Sequence, residues 1–183
     1  MSHPGKAFAA IIAIGFATAC AMLGWYPAAF VVAPGDIGGG AHIVWASDAS
    51  RMAESAIRYY GQAAGQATST MRLPPELARE ARSKSVDALI DAILVRDAIV
   101  HENSGTEADA MIEEKMATYV RNPEFSVAVS VVYGLDTARF VGFVARPEIE
   151  REFLKGKRGW DDAAFTAWLA SEREKSKIVR FAK

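Results

Sequence analysis

The chain has little of what site chemistry is usually built from. One cysteine, Cys20, and three histidines, His3, His42 and His101, are spread over 183 residues. None of them stand four apart on a helix, so no metal site can be assembled from sequence neighbours. A lone thiol also excludes a disulfide within the chain, which an oxidising compartment permits but does not require. Net charge is missing too, with 21 basic against 22 acidic residues. That balance leaves no electrostatic footprint for nucleic acid. There is no Gly-x-Ser-x-Gly elbow to present a serine nucleophile. The run KGKRG (155–159) lacks phosphate-loop spacing, follows a helix and reads as a loop. Three carboxylate pairs, Asp87/Asp91, Glu113/Glu114 and Asp161/Asp162, fall on polar helix faces or at a helix start, where solvation and capping account for them. The expectation is a protein with no cofactor, no metal and no catalytic residue.

What is present begins with an apolar amino end. From Ala7 to Ala33 no residue is charged, and isoleucine, phenylalanine, methionine, leucine and valine stand among alanines. A bilayer core of about 30 Å needs roughly 20 such residues. The segment 7–33 is therefore expected to be a transmembrane signal anchor, with 1–6 a cytoplasmic tail and Trp25 and Tyr26 in the interfacial aromatic belt. Lys6 precedes it, whereas Asp36 follows and the next basic residue is Arg51. This asymmetry puts the amino end in the cytoplasm and the remainder outside the membrane. Two other readings of the segment exist: cleavage after Ala17-Thr18-Ala19, or lipoprotein processing at Cys20. The apolar run continuing past both points favours the anchor. Residues 34–41, with DIGGG inside, read as a flexible tether to a domain at 42–183.

That domain reads as six helices and two short strands. Ile43 and Trp45 alternate in a first strand, and KIVRF closes the chain with a second. Ser47, Asp48 or Ser50 can cap a helix that Gly61 stops, with Met52, Ala53, Ala56, Ile57 and Tyr60 on one side. The strongest helix starts near Pro74-Pro75 and ends at His101. Thr106 with Asp109 resembles a capping arrangement for the next, which carries Met111, Met116 and Tyr119. Asn122-Pro123 opens a helix that Gly134 ends, with Phe125 and Tyr133 on its apolar face. Asp136 caps the following one, with Phe140, Phe143 and Val144 on its stripe. Pro147 interrupts that helix ten residues on, at a typical cost of roughly 3 kcal/mol. A kink or boundary is expected there, with Arg146 pushed out of helical geometry by the proline after it. Asp161 or Asp162 opens the last helix, which carries Phe165 and Trp168.

Four stretches in this order resemble the N-terminal domain of the SurA/PpiC-type periplasmic foldases, in a membrane-anchored form: SRMAESAIRYY, SVDALIDAILVRDAIVHENSGTEADAMIEEKM, YGLDTARFVGFVARPEIEREFL and FTAWLASEREKSKIVRF. Together they cover about residues 43–181. The resemblance implies a mainly α fold: a transmembrane helix, then a multi-helix chaperone domain closed by a pair of terminal strands, here HIVWA with KIVRF. It implies partners that are unfolded or extended polypeptide clients, with the bilayer engaged through residues 7–33. Candidate peptide-binding or core residues are Met111, Met116, Tyr119, Phe125, Tyr133, Phe140, Phe143 and Trp168, with Pro147 as a helix kink. Two departures stand out. WASD replaces the family's Val-Asn-Gly turn, and the parvulin domain with its pair of active-site histidines has no counterpart in this sequence. The expected function is a membrane-tethered, extracytoplasmic, non-catalytic chaperone. The alternatives are an anchored scaffold for one specific membrane or secreted partner and, third, a prolyl isomerase.

Overall fold

The computed structural model describes residues 26–33, 41–63 and 74–181. Three strands, β1 (Pro27–Val32), β2 (His42–Trp45) and β3 (Lys177–Arg180), form one antiparallel sheet in the order β2-β1-β3. Six helices accompany them: α1 (Ala46–Ala63), α2 (Pro75–His101), α3 (Gly105–Val120), α4 (Pro123–Tyr133), α5 (Thr137–Arg158) and α6 (Asp162–Lys175). The protein is mainly helical, as its patterning indicates.

The sheet corrects three expectations at once. The terminal strands HIVWA and KIVRF do not pair with each other, because β1 lies between them. Val31 stands opposite His42 on one side and Ile178 on the other. Residues 27–33, read as the end of a membrane span, are instead the sheet's centre, and Ala28, Ala29, Val31 and Ala33 are all buried. A short valine-containing run headed by proline suits a central strand as well as a bilayer, and hydropathy alone does not separate the two. Residues 34–41 therefore join two strands of one sheet rather than linking a membrane to a domain. The remaining uncharged run Ala7–Trp25, Cys20 and His3 lie outside the described residues, as do residues 34–40 and 64–73.

The core has two parts. Ala29, Val31 and Val44 of the sheet pack on Ala46 and Ala49 of α1 and on Val86, Ile90 and Leu94 of α2. Further along α2, Val95 and Ile99 meet Ala108 of α3, Leu154 of α5 and Phe165 of α6. One long helix thus supplies both halves, its apolar face turning from the sheet toward the other helices.

Several helix ends follow from their sequence. Asn122, Asp136 and Asp161 accept backbone N–H bonds from Glu124, Arg139 and Ala164 at 2.9, 2.8 and 2.7 Å, satisfying donors of the first turn. Gly134 and Gly159 follow their helices in the left-handed conformation, φ 67° and 64°. Asn103 does the same after α2 at φ 56°, and the N–H groups of Asn103 and Ser104 reach back to Val100 and Ile99, capping the helix with a six-to-one bond.

Other ends differ from the sequence reading. Gly61 does not stop α1; it is buried within the helix, which runs to Ala63. KGKR is the last turn of α5, not a loop. Thr106 is not a cap, since α3 starts at Gly105, and Asp109 turns instead to two arginines. Pro147 stands in the first turn of the α segment that begins at Arg146, directly after a π turn. Arg146 before it is helical (φ −59°, ψ −52°), and Val141–Ala145 form a π turn whose wider bonds run into the proline. The extra residue of the π turn leaves the position of the missing N–H outside the regular ladder, so the proline fits at the start of the α segment that follows. The sharp bend comes earlier, 70° between α4 and α5 at Gly134–Asp136.

Candidate functional site: an exposed aromatic ladder

Four of the eight candidate residues come together. Tyr119 of α3 meets Phe125 of α4 at 5.6 Å between ring centroids, Phe125 meets Phe140 of α5 at 5.6 Å, and Phe140 meets Tyr133 of α4 at 4.9 Å. The ladder then extends beyond what the sequence indicated. Tyr133 stacks on Tyr59 of α1 at 5.3 Å with the rings 11° apart, and Tyr59 meets Tyr60 edge-on. Six rings from four helices form one continuous row. The 70° bend at Gly134 is what builds it, because it brings Phe140 back against Phe125 and Tyr133.

The row is exposed at both ends and half-buried between them, at Phe125, Phe140 and Tyr133. Tyr60 is 70% exposed, Tyr119 57% and Tyr59 41%, and Val127 and Val131 of α4 are exposed nearby in sequence. Aromatic rings offer large contact area at low entropic cost, and each phenol adds a hydrogen-bonding end. Burial raises the Tyr133 hydroxyl above the usual tyrosine range, with Tyr59 adding to the shift, so it stays protonated and able to donate.

Beside Tyr133 lies a cleft of about 590 Å³ bordered by Arg51, Arg58 and Arg139, with Glu54 the acidic residue at its wall. Arg58 donates to the Ser130 carbonyl at 3.5 Å and Arg139 pairs with Asp136 at 3.0 Å. The cleft therefore offers cationic groups beside an apolar row, able to pair with acidic or carbonyl groups.

The other candidates sit elsewhere. Met116 is buried in the core of α3, and Met111 is half-buried on the same helix. Phe143 is half-buried in the π turn. Trp168 belongs to a separate cluster with Trp160 and Phe165, at 5.4 and 5.5 Å, with the Arg158 guanidinium 5.3 Å from its ring. Arg158 also donates to Glu102 and Lys157 to the Ser104 hydroxyl, so this cluster pins the end of α5 to the α2–α3 turn. Tyr59 and Tyr60 were missed as site residues. The signal available was the adjacent tyrosine pair near the end of an amphipathic helix, where both cannot be buried.

A second cleft, about 290 Å³, lies between β2, α2 and the π turn, and Pro147 lines it. Most of its charged groups are paired. Arg96 binds Glu150 at 3.1 Å and Asp109 at 2.9 Å, and Arg146 binds the same two carboxylates at 3.3 and 2.9 Å. Two arginines and two acids thus close a ring that ties α2, α3 and α5. Burial raises the Glu150 carboxyl above its ordinary range, against the pull of Arg96 and Arg146. Asp109 is held below its range, first by the Arg96 hydrogen bond. His42 approaches Asp97 at 3.1 Å. Asp87 and Asp91 are similarly taken, by Arg180 and Arg173. Among the described residues no group of three His, Cys, Asp or Glu is placed to hold a metal, and no single helix is long and apolar enough to cross a membrane.

The class these observations define is a mainly helical domain with a small three-stranded sheet and an exposed aromatic surface. Comparison with family models, curated proteins and solved structures gives no match for this chain.

Proposed function

We propose that the chain is a membrane-tethered, extracytoplasmic module that binds extended apolar polypeptide segments without catalysis. The six-ring ladder, with Tyr59, Tyr60 and Tyr119 exposed at its ends, is the observation that carries this reading. Exposed tyrosines at both ends of a continuous aromatic row are costly to leave uncovered, and the row offers successive side-chain contacts to an extended chain. The uncharged run Ala7–Trp25, preceded by Lys6 and followed first by Asp36, supports the tether and the orientation with the amino end in the cytoplasm. The same rings suit non-native clients of varied sequence, since every aromatic face accepts any apolar group.

The purified full chain should slow aggregation of a non-native client at several-fold excess. Replacing Tyr60 and Tyr119 by alanine should remove most of that effect, while stability shifts by no more than about 0.5 kcal/mol per site, as for exposed substitutions. Full retention of holding by the double variant would sink the proposal.

The three arginines at the cleft favour a second reading, an anchored scaffold for one specific partner. Cross-linking in membranes separates the two: a scaffold gives one dominant adduct, a chaperone a broad set. Neither reading requires prolyl isomerase activity, and a peptide isomerisation assay should show none.

A further inference from the structure

The sheet has a second face, on which Ile43, Trp45, Val179 and Phe181 are exposed, although Ile43 and Trp45 on the edge strand also border the cleft toward α2. The helices cover the side of Val31, Val44 and Ile178. Strand alternation sends the neighbouring residues the other way. Phe30, Ile43 and Val179 stand side by side across the three strands. Ile43, Trp45 and Val179 are each exposed by 40–42%, and Phe181 by 54% with its ring edge-on to Phe30 at 5.2 Å. Lys177 is the charged strand residue on this face.

We propose that this face lies on the lipid bilayer, seated in the headgroup region. The chain outside the described residues points to that occupant. The uncharged run Ala7–Trp25 ends two residues before β1, the central strand of this sheet. No slack separates them: the Tyr26 carbonyl accepts the Ala46 N–H at 3.0 Å, fixing the entry point to the start of α1. At about 3.5 Å per residue the sheet can stand no more than roughly 7 Å from the end of that run. The composition also suits an interface, with a tryptophan, phenylalanines and β-branched residues beside a lysine that can reach a phosphate. The proposal rests on the reading of residues 7–25 as a membrane anchor.

The test uses the full chain with Cys20→Ser, reconstituted into phosphatidylcholine vesicles that contain brominated lipid. A fluorescent label is placed by Val179→Cys on the sheet face, or by Glu113→Cys on exposed α3 as a control. The chain should float with the vesicles, and bromine should quench the label at 179 several-fold more than that at 113. Adding Trp45→Ser should reduce the quenching at 179. A chain that floats but shows equal or no quenching at 179 overturns the proposal and leaves the anchor standing. Protection of 179 from aqueous iodide without bromine quenching also overturns it, because protein then covers the face. A chain that does not float overturns both docking and anchor.

Discussion

Gly134 and Gly142 lie eight residues apart and should answer in opposite ways to an added methyl group. Gly134 is left-handed, and a Cβ there would press on the Arg58 guanidinium beside the cleft. Gly134→Ala should cost about 1–2 kcal/mol, read as a lower urea midpoint. Gly142 is helical with open space where its Cβ would point, so Gly142→Ala should gain about 0.5–1 kcal/mol in the same assay. Glu150 makes a third residue-scale case. Its carboxyl is raised by burial, so the folded state holds the proton more tightly than the unfolded chain does. Its contribution is then fully present below the ordinary glutamate range and is lost as pH rises through the raised value. Glu150→Gln should flatten the decline in urea midpoint as pH increases from about 4.5. Asp109, held low, works in the opposite direction and loses its contribution as pH falls below the aspartate range. A wild-type midpoint that rises with pH by the same amount in both proteins would refute the Glu150 assignment.

At the scale of elements, Pro147 is where sequence and structure part most clearly. A proline ten residues into a helix reads as a break because a regular α ladder needs its N–H. The π turn at Val141–Ala145 removes that need, and no local residue pattern announces a π turn. Arg146 and Glu150 then stand one turn apart and face Arg96 and Asp109, which hold the α5 segment in place. Pro147→Ala should consequently change stability by less than about 1 kcal/mol, well under the figure for an interior proline. Backbone chemical shifts should show the helix unbroken from Thr137 to Arg158 in both proteins. The caps at Asn122, Asp136 and Asp161 and the stop at Gly134 were legible, since each rests on one residue acting on its own neighbours. Gly61 and KGKR misled for the converse reason. Packing on one side of α1, and the ion pairs of Arg158 and Lys157, carry those helices past residues that would end them in isolation.

For the whole molecule, helix number and order were readable because each helix has its own period. The sheet was not. Its centre comes from a stretch whose composition serves a bilayer equally well, and its pairing joins Ala29 to Arg180 at opposite ends of the described chain. Four of the ladder's six rings were visible for a related reason: Tyr119, Phe125, Tyr133 and Phe140 lie close in sequence, whereas Tyr59 and Tyr60 arrive from α1. A chain shortened to end at Ser176 would lose β3, the packing of Ile178 and the Phe30–Phe181 contact. It should be destabilised by at least about 2 kcal/mol. A midpoint equal to that of the full chain would mean that the sheet does not hold the domain closed.

The central position of β1 also has a mechanical consequence. A pull applied at Tyr26 along the chain passes down the axis of a strand bonded on both sides. The two antiparallel ladders lie across that pull, so they share the load and must shear together instead of unzipping bond by bond. A sheet loaded at this point resists being peeled open strand by strand.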